Sequence, residues 1–395
     1  MNCFTQTHML SLALMIMVSV ANAETLRVPE DYPTIQDAAA ASNNGDIIDL
    51  APGTWYQNVW GLSGVTLKGR DGADKTIIDG TGFNWSPIVM YGAPCTIEGI
   101  TFRNGVGSNI FGLVRGGALY VEFSSATVKN CRFESNISSS NEAVQTFGGA
   151  ICGYYSDLFI TNCDFDSNGA EIGGAIHITT GNTLVVDNSR FRKNSAWQGG
   201  AISAENTPFT IASCLFHDNL ADWQGGGLFV PMDNPDAPAI PGVIENTDFI
   251  RNHASEYGYG AGGGMAILGN HDISVNACSF QDNYGYTGGG IYAGWLAKGD
   301  APLPVSNSLF CGNSFADYSN EAIEEDGSNN YNINCWCSAD INADEVINVN
   351  DLLMLLDAWG GFYYPDLDAN NDGFFDVSDI LAVVEAWGRD CYDNS

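Results

Sequence analysis

From about Leu26 to Asn334 the apolar positions of this 395-residue chain keep returning at one spacing. Phenylalanine stands at Phe102, Phe133, Phe165, Phe191, Phe216, Phe249, Phe280 and Phe310, in steps of 25 to 33 residues. Five residues before each lies Ile97, Val128, Ile160, Val186, Ile211, Ile244, Val275 or Val305. Two before it comes a small or apolar residue, Ile100, Cys131, Cys163, Ser189, Cys214, Thr247, Cys278 or Ser308. Three after it, in seven of the eight repeats, comes Asn136, Asn168, Asn194, Asn219, Asn252, Asn283 or Asn313. A double glycine then opens another apolar run, as at Gly148, Gly173, Gly199, Gly225, Gly262 and Gly288.

Alternation of period two predicts strands, and the short turns between them make each repeat one coil. Strands this short bury a face only if each coil stacks on the last at about 4.8 Å, in continuous inward columns of Val/Ile and Phe. Asparagines at equivalent turns would hydrogen-bond along such a stack as amide ladders do. The glycine pairs mark corners where a Cβ would clash. About ten coils make a rod of roughly 50 Å. After Pro33, Thr34 to Ala41 predicts a short helix able to cover the open N-terminal end.

This pattern resembles the right-handed parallel β-helix of the pectate-lyase-like superfamily. The opening, with Val28, Pro29, Tyr32, Pro33, Thr34, Ile35 and Gln36 and later Ala51, Pro52, Gly53 and Thr54, is similar to the first segment of pectinesterases and related secreted β-helices. The Phe-x-x-Asn and Gly-Gly-Ala-Ile repeats also resemble those of bacterial polymorphic outer-membrane proteins, which act as adhesins. The resemblance implies an all-β right-handed parallel β-helix solenoid over residues 24–334.

The C-terminal segment has a different rhythm. Oxygen-bearing side chains fall at positions 1, 3, 5, 9 and 12 of two twelve-residue loops, and that spacing wraps a loop around one hard cation such as Ca²⁺. The first set is Asp340, Asn342, Asp344, Asn348 and Asp351 with the Val346 carbonyl. The second is Asp368, Asn370, Asp372, Asp376 and Asp379 with the Phe374 carbonyl. Each loop runs into an apolar helical segment that stops at glycine, and Ala358, Trp359 and Gly360 recur as Ala386, Trp387 and Gly388, an offset of 28. Residues 335–395 thus resemble a type I dockerin module, which implies a small α-helical domain with two calcium sites and a cohesin-like protein partner. Two departures from that family matter. Glu345 replaces the glycine at position 6 of the first loop, whereas the second keeps Gly373 and offers four carboxylates against three, so the second site is expected to be tighter. The recognition pair at positions 10 and 11 is replaced by Val349 with Asn350 and Val377 with Ser378.

The apolar run Leu10 to Val20 followed by Ala21, Asn22 and Ala23 predicts a signal peptide spanning 1–23 and a secreted, extracellular or cell-surface protein. The run is too short to span a bilayer. A net charge of −33 argues against nucleic acid and anionic membrane as partners. Between Asp340 and Asp393 thirteen carboxylates face only Arg389, a repulsion that bound calcium would relieve. Export permits disulfides, and a bridge from Cys335 or Cys337 to Cys391 would pin the ends of the module together.

Within the rod, the paired-Asp, Gly-His-Gly and Arg-x-Lys motifs of the superfamily's hydrolases are absent, as is the pectinesterase nucleophile segment. A lyase needs an Arg or Lys as base beside a uronate, and a glycosidase needs two carboxylates across the bond. The nearest candidate patch is Asp164, Asp166, Arg190, Arg192, Lys193, His217 and Asp218. Trp197 and Trp223, each three residues before the second glycine of a pair, should lie one above the other, either as a structural stack beneath a loop or as a strip on which sugar rings or apolar partners stack, with Tyr286 in the same slot further on. His177, His253 and His271 lack metal spacing and read as surface residues. The expected function is a secreted, calcium-binding β-helix that binds a polysaccharide or cell surface and is tethered through its dockerin-like module. The alternative is a polysaccharide lyase or glycoside hydrolase with an unrecognised catalytic set.

Overall fold

The computed structural model describes residues 23–139, 144–231, 239–254, 260–269, 271–294, 302–314, 317–319, 323–332, 339–342, 346–359, 367, 369 and 375–388. Within these, short strands build two long parallel sheets. Sheet I has twelve strands, from Thr25–Val28 to Ile323–Glu325, and sheet II has eleven, from Gly53–Trp55 to Asn330–Asn332. Sheet III has nine strands, from Val59–Leu62 to Ile291–Gly294, and sheet IV adds four between Ser195–Gln198 and Tyr284–Gly285. Each coil visits the sheets in turn, so successive strands of one sheet come from successive repeats. Among the described residues the hairpin Ser108–Ile110 with Leu113–Arg115 is the one antiparallel pair.

The register is that of the repeat. Phe102, Phe133, Phe165, Phe191, Phe216, Phe249, Phe280 and Phe310 face one another rung by rung in sheet II. Their rings stack face to face, those of Phe165 and Phe191 with centroids 4.7 Å apart and planes 4° from parallel. All eight rings are buried, and with the Val/Ile column of sheet I they fill one continuous core. Large rings stack here because equivalent positions lie one strand spacing apart, close to the contact distance of an offset pair.

The predicted asparagine column is also present. Each interior amide donates forward to the next asparagine Oδ1 and back to a phenylalanine carbonyl, while its own oxygen accepts two N–H groups from the rung before. For Asn194 these are Nδ2 to Asn219 Oδ1 at 3.0 Å and to Phe165 O at 3.0 Å, with Asn168 N and Nδ2 donating to Oδ1 at 3.0 and 2.9 Å. The glycine corners are sterically obligatory. Gly173 has φ +66°, and a Cβ on Gly174 would sit 2.0 Å from the carbonyl oxygen of Gly200 on the next rung.

Helix α1 (Ile35–Ala41) lies against the first rungs, as its sequence predicts. Thr34 caps it by accepting from Asp37 N at 3.0 Å, and Ile35 and Ala38 enter the core. Cys95, Cys131, Cys152, Cys163, Cys214 and Cys278 are buried free thiols, and burial pushes Cys152, Cys214 and Cys278 up to about 12, which keeps them protonated and unreactive. Cys311 is disulfide-bonded. Cys335, Cys337 and Cys391, the predicted signal segment before Ala23, and the loop ligands Asp344, Asp368, Asn370, Asp372 and Phe374 lie outside the described residues.

Helices α2 (Val349–Asp357) and α3 (Val377–Glu385) belong to a second, smaller apolar cluster around Ile347, Leu355, Val383 and Ala386. The internal duplication extends to the caps. Asn348 and Asp376 head their helices with φ −149° and −145°, and each closes a capping box with the aspartate three residues on, Asp351 or Asp379. Gly388 N donates to Ile347 O at 2.8 Å, joining the end of the second unit to the first loop. No described helix is long and apolar enough to cross a membrane.

Candidate functional site

Two features of the rod surface hold chemistry, and they lie on different faces. On sheet II the outward residues flanking the phenylalanine column carry alternating charge. Arg190 Nε lies 2.8 Å from Asp164 Oδ1, Arg192 Nη2 lies 2.7 Å from Asp166 Oδ2, and Arg132 pairs with both Asp164 and Asp74. The predicted patch therefore gathers on neighbouring rungs, but its arginines and aspartates neutralise each other. Lys193 stands exposed beside it at a left-handed turn, φ +52°.

Further along, Arg251 grips Asp218 through Nε at 3.0 Å and Nη2 at 3.2 Å, and Nη2 also approaches His217 Nε2 at 3.2 Å. His217 Nδ1 lies 2.9 Å from Asp218 Oδ2 but outside hydrogen-bond geometry, so the contact between them is electrostatic. Burial lowers the His217 pKa against the pull of Asp218. Burial alone would raise the Asp218 carboxyl, yet Arg251 and His217 hold it well below the usual carboxylate range. Both partners of a would-be general base are thus engaged. The fourth contact of Arg251 is Nη1 to the carbonyl of Asp340, at 3.0 Å, so the start of the first calcium-type loop packs on this flank.

The other feature is a groove of about 1020 Å³ along sheet IV. Its floor crosses Ile137, Gly169, Ser195 and Leu220 on consecutive rungs. Gly169 and Ser195 are small, while Ile137 and Leu220 stand half-exposed at either end, which makes the depression. One wall carries Trp197, whose amide donates to Glu171 O at 2.9 Å. Trp223 follows on the next rung, the ring centroids 6.2 Å apart and tilted 48°. The register places Tyr286 in the same slot, but Gly260 takes the slot between, so Tyr286 stands two rungs from Trp223. Exposures of 51, 36 and 52 % leave all three rings available to a ligand.

Two of the three histidines diverge from their expected surface placement. His177 is buried, with Phe147 of the neighbouring rung lying over its ring at a centroid distance of 4.9 Å. His253 is partly buried against Tyr284 at 4.5 Å, and the His271 side chain lies outside the described residues. Sequence reading also passed over an aromatic group on the first rungs, where Trp60 meets Trp85 at 5.4 Å and Tyr91 at 5.6 Å. These three come from non-equivalent positions of their coils, so no repeat pattern marks them.

In the C-terminal module, Asp340, Asp351 and Asp379 are buried carboxylates. Asp351 reaches back across its loop to accept from Asn342 N at 3.1 Å and Asn348 N at 2.7 Å. Among the described residues no cluster of three His, Cys, Asp or Glu gathers around a point that would hold a metal. The oxygen-only donor set and the burial of its end carboxylates fit a hard cation, since a buried carboxylate calls for a positive partner.

Residues 63–235 match the family described as "Right handed beta helix region". One curated relative is the metabotropic glutamate receptor-like protein R of Dictyostelium discoideum, 32% identical over 167 residues, 38% of this chain and 10% of that protein. The chain thus spans about a tenth of that relative's length. Similar solved structures include pectate lyase Pel9A, at 15% identity and TM-score 0.36 over 80% of each chain. Another is the PL6 family alginate lyase AlyGC, at 15% and 0.32 over 77% of this chain and 53% of that one. A third is the pectin methylesterase PemA from Erwinia chrysanthemi, at 13% and 0.30 over 79% and 93%. The family match and the parallel ladders of sheets I, II and III together make the rod a right-handed parallel β-helix.

Proposed function

We propose that the chain is an exported, calcium-stabilised β-helix that binds a polysaccharide or cell surface through the groove beside Trp197 and Trp223, and that its C-terminal module tethers it to a cohesin-like partner. The observation that carries the first half is a pair of exposed indoles on successive rungs above a groove lined by hydroxyls and amides. Flat apolar rings beside neutral hydrogen-bonding groups are what a sugar ring, apolar on its face and polar at its rim, requires. Replacing Trp197 and Trp223 with alanine should weaken binding by about 1 kcal/mol per indole, roughly fivefold each, as read by calorimetry against a polysaccharide panel. Unchanged affinity in the double variant would move the site elsewhere.

The tethering half draws on a duplicated apolar face. Val349, Leu353, Leu356 and Trp359 on the first unit match Val377, Leu381, Val384 and Trp387 on the second, all of them exposed. Calcium would be held by Asp340, Asn342, Asp344, Asn348, Asp351 and the Val346 carbonyl in the first loop. Asp368, Asn370, Asp372, Asp376, Asp379 and the Phe374 carbonyl would hold it in the second. When bound, the ion supplies counter-charge that lets these carboxylates stay ionised inside a small domain. Calorimetric titration of the full chain is expected to find two sites, the tighter of which weakens at least ~10-fold on Asp379→Asn. That change keeps the capping acceptor and removes one ligand charge. A silent titration would refute the module assignment.

A second reading, a polysaccharide lyase or glycoside hydrolase, draws on Glu171 and Asp222, two exposed carboxylates on the same groove. Release of reducing ends that stops on Glu171→Gln would favour it.

A further inference from the structure

We infer that the groove beside Trp197 takes a neutral, linear polysaccharide lying along the rod axis, and that it rejects polyuronates. The inference rests on the groove being a glycan site and adds which glycan. Axis and charge are its two grounds.

The axis follows from register. Trp197 and Trp223 each precede a paired glutamine, Gln198 or Gln224, on consecutive rungs, and a bulge there sets Asp222 and Trp223 together opposite Trp197, so the indoles follow one another from rung to rung along the stack. The groove floor follows the same line over the four rungs of Ile137, Gly169, Ser195 and Leu220, about 14 Å at strand spacing. A ligand that stacks on both indoles and fills the floor must extend along the rod, which suits an unbranched chain of sugar rings.

The charge follows from composition. Among the described lining residues the ionisable ones are Glu171 and Asp222, and Lys and Arg are absent. The remaining polar groups, including Gln145, Thr146, Ser195 and Gln198, are amides and hydroxyls suited to sugar hydroxyls. A polyuronate lying in the groove would bring carboxylates past both acids at separations comparable with the Debye length, about 8 Å at physiological salt. The chain's net charge of −33 adds to that repulsion. The cations that could have met a uronate lie on sheet II, where Arg190 and Arg192 are held by Asp164 and Asp166.

Affinity electrophoresis of the full secreted chain, through gels carrying xylan, mannan, mixed-linkage glucan or polygalacturonate at low and physiological salt, tests this. At least one neutral polymer is expected to retard the protein, with retardation largely lost when Trp197 and Trp223 are both alanine. Polygalacturonate is expected to have no effect at either salt, and to begin retarding a variant carrying Glu171→Gln with Asp222→Asn. Polygalacturonate retarding the wild type as strongly as a neutral polymer, through the same indoles, would overturn the charge inference and leave the groove in place. Neutral binding indifferent to the indoles, or no binding to any of the four, would remove both.

Discussion

Replacing Asn194 with alanine is expected to destabilise the rod by about 3–5 kcal/mol, more than any exposed substitution in the chain, since each buried polar group left unpaired costs about 1–3 kcal/mol. Asn194 is fully buried in the middle of the amide column, and its side chain makes four hydrogen bonds. Alanine removes the acceptor for two N–H groups of Asn168, the donor to the Phe165 carbonyl and the donor to Asn219. A second amide ladder provides the control. Asn162 and Asn188 hydrogen-bond along an exposed turn, and Asn188 sits at φ +44°. Asn188→Gly keeps the left-handed turn accessible and should cost no more than about 0.5 kcal/mol. Urea unfolding at constant slope reads both changes. Equal losses in the two variants would mean that the buried column contributes nothing special to the stack.

Acid is expected to unfold the wild-type rod along a slope to which two buried imidazoles contribute, His177 and His217. His177 is pushed down to about 3, by burial first and by the charge of Arg115 second. The Glu205 carboxylate, 3.8 Å from Nε2, is 42 % exposed and screened by solvent, and Nδ1 has no hydrogen-bond partner. Folded His177 is therefore neutral where an unfolded histidine, with pKa near 6.5, is already charged. Between those two values the unfolded chain binds the extra proton. The stability His177 contributes is thus fully present above about pH 6.5 and falls by roughly 1.4 kcal/mol per pH unit as pH drops toward 3. His177→Phe, which keeps an aromatic ring against Phe147, should remove His177's share of this slope and leave that of His217. The informative window is pH 6.5 to about 4.5, before ordinary carboxylates titrate. Below it Asp79, lowered to about 2 with Arg103 among its partners, and Asp218 add losses of the same sign. A variant as acid-sensitive as the wild type through that window would show that His177 takes up its proton without leaving the fold.

The rod was legible in the sequence because a solenoid writes the same constraint many times. Phe102 to Phe310 and Asn136 to Asn313 stand where stacking demands a ring or an amide, and Gly174 where it forbids a Cβ. Trp197 and Trp223 were readable for the same reason, as they occupy equivalent slots. His177 was not. Its alternation with Ile176 and Ile178 correctly points it outward from sheet III, but a second layer of chain bearing Phe147 covers that outward face. Local period says which side of a strand a residue takes, not what lies beyond it. The patch around Asp164 was legible as a set of neighbours, but its ion pairing depends on side-chain reach across rungs, which spacing does not encode. Trp60, Trp85 and Tyr91 escaped because they converge from unlike positions.

The guanidinium of Arg251 faces two ways, toward the carboxylate of Asp218 within the rod and toward the Asp340 carbonyl where the small domain begins. The first turn of the small domain is thereby held against the side of the stack at the rung of Arg251, ahead of the last strands of sheets I and II. Asp218 keeps the guanidinium aimed outward, so Arg251→Ala would free this flank while the covalent chain kept the two parts joined.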